Sequence, residues 1–329
     1  MAFKRAIVTS VGPLRIMIDG DTEPIPFTPK SLIDPATLLV GDVVHADQSG
    51  HRLLVLGRVG GLGLLSGRNL IVNGNLRTNQ RKYVSATAMG AGEYTLDRWK
   101  VNVASGKVYF TEKPQGNGAE FVTGHGIAQV VEQANIIPGD HILSWGGTSS
   151  GRAYNAGGVP PAYGASPIVA TLDGAANVVV EFQAVGGSQN LSQVQLEYGT
   201  IQTPFEGISV GEELALCQRF YCRLDTATFG TLFGTALATR DSGMQAYVQL
   251  PATMRAVPTL FYSAVGDFRF TRPGIREHVL SAMSLSGSYS SLDIVGLDIT
   301  AGSGYTAGQP GVLRGVGGEQ AWLGFDAEL

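Results

Sequence analysis

The sequence predicts an all-β protein of several domains, interrupted by one short helix. Three observations carry this. Charged residues are 15% of the 329-residue chain, well below the usual quarter, and glycine occurs 45 times. Helical periodicity is scarce, whereas runs of alternating apolar and polar residues recur between clusters of Gly, Asn, Ser and Pro. The apolar fraction of 44% is enough to build a core and excludes a disordered chain. At this length two to four domains are expected.

Composition also excludes classes of partner. The formal net charge is −4, and no run of Lys and Arg interleaves with aromatics, which argues against nucleic acid. No stretch approaches the ~18 apolar residues that a spanning helix needs, so no membrane insertion is expected. The start, MAFKRAIVTSVG, has a basic pair but no apolar core of export length, so the chain is expected to be made and folded in a cytosol. Cys217 and Cys222 lie too close for a disulfide framework. One falls on a predicted helix and one on a predicted strand, and both read as reduced core residues.

Residues 1–59 read as a unit of their own. RAIVTSVG, LRIMIDG, GDVVHAD and RLLVLGRV are four strand-like runs, with turn chemistry at Asp19-Gly20 and Gln48-Ser49-Gly50. Pro24, Pro26, Pro29 and Pro35 place an irregular excursion between the second and third runs. Short strands with one long connection predict a small OB-like barrel. Few aromatics and scattered basic residues make it a docking barrel rather than a nucleic-acid binder. The order of strand, DGD turn, Pro-rich segment, GDVV and VLGRVGG resembles the N-terminal domain of minor tail proteins of long-tailed phages. Residues 60–68, GGLGLLSGR, read as a linker whose Leu62, Leu64 and Leu65 need cover.

Residues 69–206 have the rhythm of an antiparallel β-sandwich, with strand runs IAQVVEQ, DHILSWGG, PIVATL and NVVVEFQ. The opening NLIVNGNLRTNQR, the tripeptide DRW and the closing QLEYGTIQTPFE together resemble the carbohydrate-binding-module-like jelly roll of phage tail fibres and receptor-binding proteins. Residues 207–219 form a linker helix. Ser209 stands three residues before Glu212, the spacing of a capping box, and Leu214, Cys217 and Tyr221 follow at helical spacing.

Residues 220–329 predict a C-terminal β-sandwich. Met244, Ala246, Val248 and Leu250 alternate with Gln245, Tyr247 and Gln249, and Ala321, Leu323, Phe325, Ala327 and Leu329 repeat the device. A strand of such regular alternation is expected to be tied into a sheet. LCQRFY, LPATMRAVPT and LGFDAEL resemble the C-terminal domain of phage tail fibres. That resemblance implies a sandwich packed as a homotrimer, in a virion tail, with tail-tip or baseplate proteins as neighbours and a host cell-surface polysaccharide as target.

No catalytic pattern emerges. Asp97, Glu120, Glu132 and Asp140 are acids without the paired geometry of glycoside hydrolysis. His45, His51, His125, His141 and His278 lack metal-ligand spacing, no GxSxG occurs, and GLGLLSG has no βαβ frame. No cofactor is implied. Aromatics are the better lead, because sugar sites set an aromatic face beside polar groups. Trp99 and Trp145 sit in strand-like runs and read either as core or as sugar contacts. Tyr154 and Tyr163 fall in the Gly/Pro-rich RAYNAGGVPPAYGASP, where rigid aromatics read as recognition residues or as loop packing, with Arg152 and Asn155 as polar partners. Asn73, Asn75 and Asp97 are weak candidates for a structural calcium. The helix either plugs the C-terminal domain or meets two symmetry mates through Leu214, Leu216 or Cys217.

Overall fold

The computed structural model describes residues 2–18, 20–32, 35, 38, 43–49, 52–58, 69–110, 118–226, 231–272, 276–315 and 321–329. The predicted turn residues Asp19 and Gly50 and the leucines of the 60–68 linker lie outside them, as do His51 and the glycine-rich GLGLLSG. The chain divides into two compact units, residues 1–68 and 69–329, and it is all-β apart from short helices.

In the first unit, the four predicted runs become β1 (Ala2–Val11), β2 (Leu14–Ile18), β4 (Val43–Ser49) and β5 (Arg52–Arg58). The Pro-rich excursion adds a two-residue β3 (Lys30–Ser31), parallel to β5. The strand order is β2-β1-β4-β5-β3. Alternation sends Ala6, Val8, Ile16, Val44, Ala46, Leu53 and Val55 into one core. Among the described residues the sheet is open, with β2 and β3 as its edges, rather than a closed barrel.

The second unit holds two cores. Residues 69–206 build two four-stranded sheets around the first. One sheet runs β10 (Ser150–Asn155), β12 (Val178–Gln183), β8 (Gly126–Val131), β6 (Lys100–Val101). The other runs β11 (Ile168–Leu172), β9 (Gly139–Gly147), β13 (Gln189–Tyr198), β7 (Ala119–Phe121). Val178, Val180 and Phe182 from the first sheet meet Leu143, Leu191 and Leu196 from the second, the inward halves of two alternating patterns.

The C-terminal part corrects the expected sandwich. Six strands close into a barrel in the order β15 (Leu232–Ala238), β16 (Gly243–Gln249), β20 (Ile294–Ala301), β19 (Arg276–Leu285), β18 (Phe268–Arg272), β21 (Pro310–Gly315). Beside it lies a three-stranded sheet of β14 (Tyr221–Asp225), β22 (Trp322–Asp326) and β17 (Thr259–Tyr262). The alternating residues do face a core: Met244, Ala246, Val248 and Leu250 are buried, as are Ala321, Leu323, Phe325 and Ala327. Alternation is the same in a sandwich and a barrel. The difference lies in β15, which pairs with β21 as well as β16, Thr235 facing both Val312 and Tyr247. Strand β22 lies at the centre of its sheet, tied in on both sides.

Between the cores runs α1 (Val210–Gln218). Ser209 caps it, accepting from the Glu212 backbone N–H at 3.2 Å. Of the predicted apolar face Cys217 is buried and Leu214 half-buried, and the helix also buries Glu213. Glu213 turns inward because Arg77 of the sandwich pairs with it, and the same guanidinium donates to the Ile208 carbonyl at 2.7 Å.

That pair is one end of a seam of three arginines. Arg81 lies 3.7 Å over the Tyr221 ring and 2.9 Å from the Asp326 carboxylate. Arg98 is 2% exposed; it pairs with Glu328, lies 3.5 Å over the Phe220 ring and donates to the Val130 carbonyl at 2.5 Å. Leu329 is held where Tyr94 and Lys100 both donate to its carbonyl, at 2.8 and 3.0 Å. The planar guanidinium suits this place because it can stack on a ring and pair with a carboxylate at once. Removing one member of a buried ion pair strands the other charge and costs about 3–5 kcal/mol. Urea denaturation of Arg98→Met should show a loss of that order, and Arg98→Met with Glu328→Leu should recover most of it. A loss of less than ~1 kcal/mol in the single variant would remove Arg98 from the account.

Candidate functional site

The most chemically distinctive group on the sandwich surface grows from strand alternation. On β10, Ala153 enters the core and Arg152 and Tyr154 face outward; on β12, Val180 and Phe182 enter and Glu181 faces outward. The antiparallel register sets Arg152 directly opposite Glu181. Arg152 Nε donates to Glu181 Oε2 at 2.6 Å, and its terminal nitrogen lies 2.5 Å from the same oxygen. Their side chains are 20% and 13% exposed, so the pair is largely shielded from water.

The Gly/Pro-rich loop folds back onto this pair. Gly164 bridges to Gly151, and Arg152 donates to the Pro161 carbonyl at 3.1 Å. Gly151 must lack a side chain, because a Cβ there would fall 2.8 Å from the rings of Trp145 and Phe182. The fold-back brings the Tyr163 ring 4.2 Å from the Arg152 guanidinium, with Tyr154 at 5.5 Å. The Tyr163 hydroxyl donates to Glu181 Oε2 at 3.3 Å and receives a long contact, 3.5 Å, from Asn102 Nδ2. Burial, then the Glu181 charge, pushes the Tyr163 phenol up to about 12. Burial followed by the same charge raises Tyr154 as well. Both phenols therefore keep their protons at neutral pH and serve as ring faces carrying a hydroxyl. One row of the sheet continues from this pair through Ala128 to Lys100.

Arg152, Tyr154 and Tyr163 are thus brought together as expected, although Tyr154 lies on a strand rather than in the loop. Asn155 does not join them. It alternates to the opposite face, and its Oδ1 accepts from the Asp173 N–H at 3.4 Å. Trp99 is fully buried; its indole donates to the Asn73 carbonyl at 2.9 Å and its ring lies 6.0 Å from Phe182, so it is core. Trp145 is core too, at 6% exposure. Glu181 and Asn102 were not anticipated. A lone acid inside VVVEFQ was the signal for Glu181.

The other candidates are committed within the chain. Asn73 spends its amide on the Thr78 and Asp97 carbonyls at 3.0 and 2.9 Å, and its Oδ1 accepts the Arg77 and Thr78 N–H groups. Asp97 is fully buried and accepts from Gln80 N at 3.1 Å and Gln80 Nε2 at 2.7 Å. Asn75 is half-buried. Among the described residues no group of three or more His, Cys, Asp or Glu is arranged to hold a metal. Glu132 pairs with Arg219, and Asp140 accepts from the Thr171 hydroxyl at 2.7 Å. On the helix, Cys217 is buried against Thr78 and unavailable to a symmetry mate. Leu214 is half-buried and Leu216 is 39% exposed. Both cysteines are free and buried.

Asp97 makes a pH prediction. Burial pushes its carboxyl up from 3.8 to about 6. The folded state then holds this proton more tightly than the unfolded chain, so its contribution to stability falls as pH rises from about 4 to about 6. Asp97→Asn cannot titrate. Denaturation across that window should show wild-type stability dropping relative to the variant by at most roughly 3 kcal/mol. A constant or rising difference would contradict the assignment.

Comparison with known proteins adds no relative: no protein-family profile matches the chain, and no curated protein matches its sequence significantly.

Proposed function

We propose that this chain is a non-enzymatic tail-fibre or receptor-binding protein of a phage, and that its sandwich binds host cell-surface glycan through the Arg152–Glu181–Tyr163–Tyr154 cluster. The observation that carries the reading is the pairing of two half-buried tyrosines with a guanidinium and a carboxylate on one outward face. A sugar offers an apolar ring face and hydroxyls that both donate and accept. The cluster offers rings, donors and an acceptor in the same small area. Its single carboxylate is already forked with Arg152, whereas glycoside hydrolysis uses two acids, so binding is favoured over cleavage.

In this reading residues 1–59 are the docking domain toward the tail tip or baseplate, and residues 69–206 are a jelly roll of carbohydrate-binding-module type. The chain works as a homotrimer, in which three weak sugar contacts act together and gain by effective concentration. Leu216 and Leu214 remain as helix contacts for such a trimer. One observation favours a purely structural tail component instead: Glu181 already has two partners in Arg152 and Tyr163, so the cluster is satisfied without a ligand.

An array of bacterial surface polysaccharides separates these readings. The wild type should bind a subset, and Tyr154→Ala and Arg152→Ala should each weaken that binding at least tenfold while keeping the circular dichroism spectrum. Absence of binding across the array favours the structural component. Release of new reducing ends from a bound polysaccharide favours a depolymerase.

A further inference from the structure

A second surface, on the opposite module, is built from the same kinds of group. Strands β14, β22 and β17 turn Cys222, Leu323, Phe325 and Leu260 toward the barrel core. Their other face carries Arg223, Gly324 and Phe261 in one cross-strand row. Gly324 has no left-handed backbone to explain it. A Cβ there would fall 2.9 Å from the Tyr221 hydroxyl and 3.1 Å from the Trp322 ring, so a larger residue would displace one of them. Tyr221 and Trp322 therefore lean over the glycine from the two rows beside it, and Phe261, 49% exposed, adjoins them. The result is a platform of Trp322 and Phe261 on neighbouring strands, backed by the Tyr221 ring, which is itself buried at 4% exposure.

Polar groups edge the platform. Arg223 lies 4.2 Å from the Trp322 ring and donates to Asp225 at 3.0 Å. Asp225, 34% exposed, also accepts from the ammonium of Lys82 at 2.9 Å. On the far side Arg81 stacks on Tyr221 and closes that edge toward the sandwich, leaving the Phe261 side open.

We propose that this platform is a second saccharide-binding site, independent of the sandwich cluster. The chemistry decides the ligand class. An apolar partner would dehydrate the Arg223–Asp225–Lys82 group without replacing its hydrogen bonds. A polyanion would meet the Asp225 carboxylate beside the aromatic rings. A neutral hydroxylated ring fits both halves: its C–H face covers the rings, and its hydroxyls donate to Asp225 and accept from Arg223 or Lys82.

Trp322 makes the test direct. Of three tryptophans, Trp99 and Trp145 are buried at 0% and 6% exposure, so acrylamide quenching reports mainly on Trp322. The probes are methyl glycosides of glucose, galactose and N-acetylglucosamine and their β-linked oligosaccharides, with saturation-transfer NMR as a second readout. At least one probe should protect Trp322 from quenching. Phe261→Ala, a change at an exposed side chain, should weaken that binding at least tenfold, and Asp225→Asn should weaken it several-fold. Arg152→Ala should leave it unchanged, which separates this site from the sandwich cluster. The proposal is overturned if no probe protects Trp322, or if Phe261→Ala binds as the wild type does. It is also overturned if Phe261→Ala lowers the mass by light scattering without any saccharide being bound, which would make the platform a subunit contact.

Discussion

The buried pairing of Arg98 with Glu328 is the constraint on which the second unit depends. A guanidinium at 2% exposure is tolerable only if its charge is paired. Here a carboxylate, a phenyl ring and a backbone carbonyl meet its terminal nitrogens and its face, while its Nε is buried without a hydrogen-bond partner, and the first two come from residues more than a hundred positions downstream. The pair therefore couples the sandwich to the barrel: neither module can satisfy it alone. Arg77 with Glu213 and Arg81 with Asp326 repeat the arrangement along the same seam. An interface built this way gains less from area than a hydrophobic one, but it is demanding about register, since a displaced partner leaves a charge stranded.

That coupling bears on both candidate binding surfaces. Lys100, in the same cross-strand row as Arg152 and Glu181, is held by the carbonyl of Leu329. Tyr221, the buried ring that backs the platform on the barrel side, is held under Arg81 of the sandwich. Each surface is thus steadied at one edge by the module opposite. A multivalent binder benefits from such rigidity, because contacts at fixed spacing lose less entropy when they engage together.

Much of the fold was legible because alternation is a local signal. Met244 to Leu250 and Ala321 to Ala327 could be read as strands without knowing their neighbours, and Ser209 with Glu212 marked the helix start. What alternation cannot carry is pairing. Closure of the barrel rests on β15 meeting β21, some 75 residues apart along the chain, and no local pattern distinguishes that from a sandwich edge. The tripeptide DRW shows the same limit at the site level. The sequence offers Trp99 to a sugar and Asp97 to a cation, yet both are buried, and Arg98 between them carries the seam. Its partner is 230 residues away. In the candidate site, Arg152 and the tyrosines were visible as chemistry, whereas Glu181 became part of it only through the β10–β12 register.

The central claim is that the seam makes residues 69–329 one cooperative body. Hydrogen–deuterium exchange followed through a urea titration tests it most directly, with peptides from β8 and β12 reporting the sandwich and peptides from β16 and β20 reporting the barrel. The account predicts that protection in both sets is lost at one midpoint, and that the two sets stay coincident as pH is varied near neutrality. Loss of barrel protection at a lower urea concentration, with the sandwich peptides still protected, would contradict it.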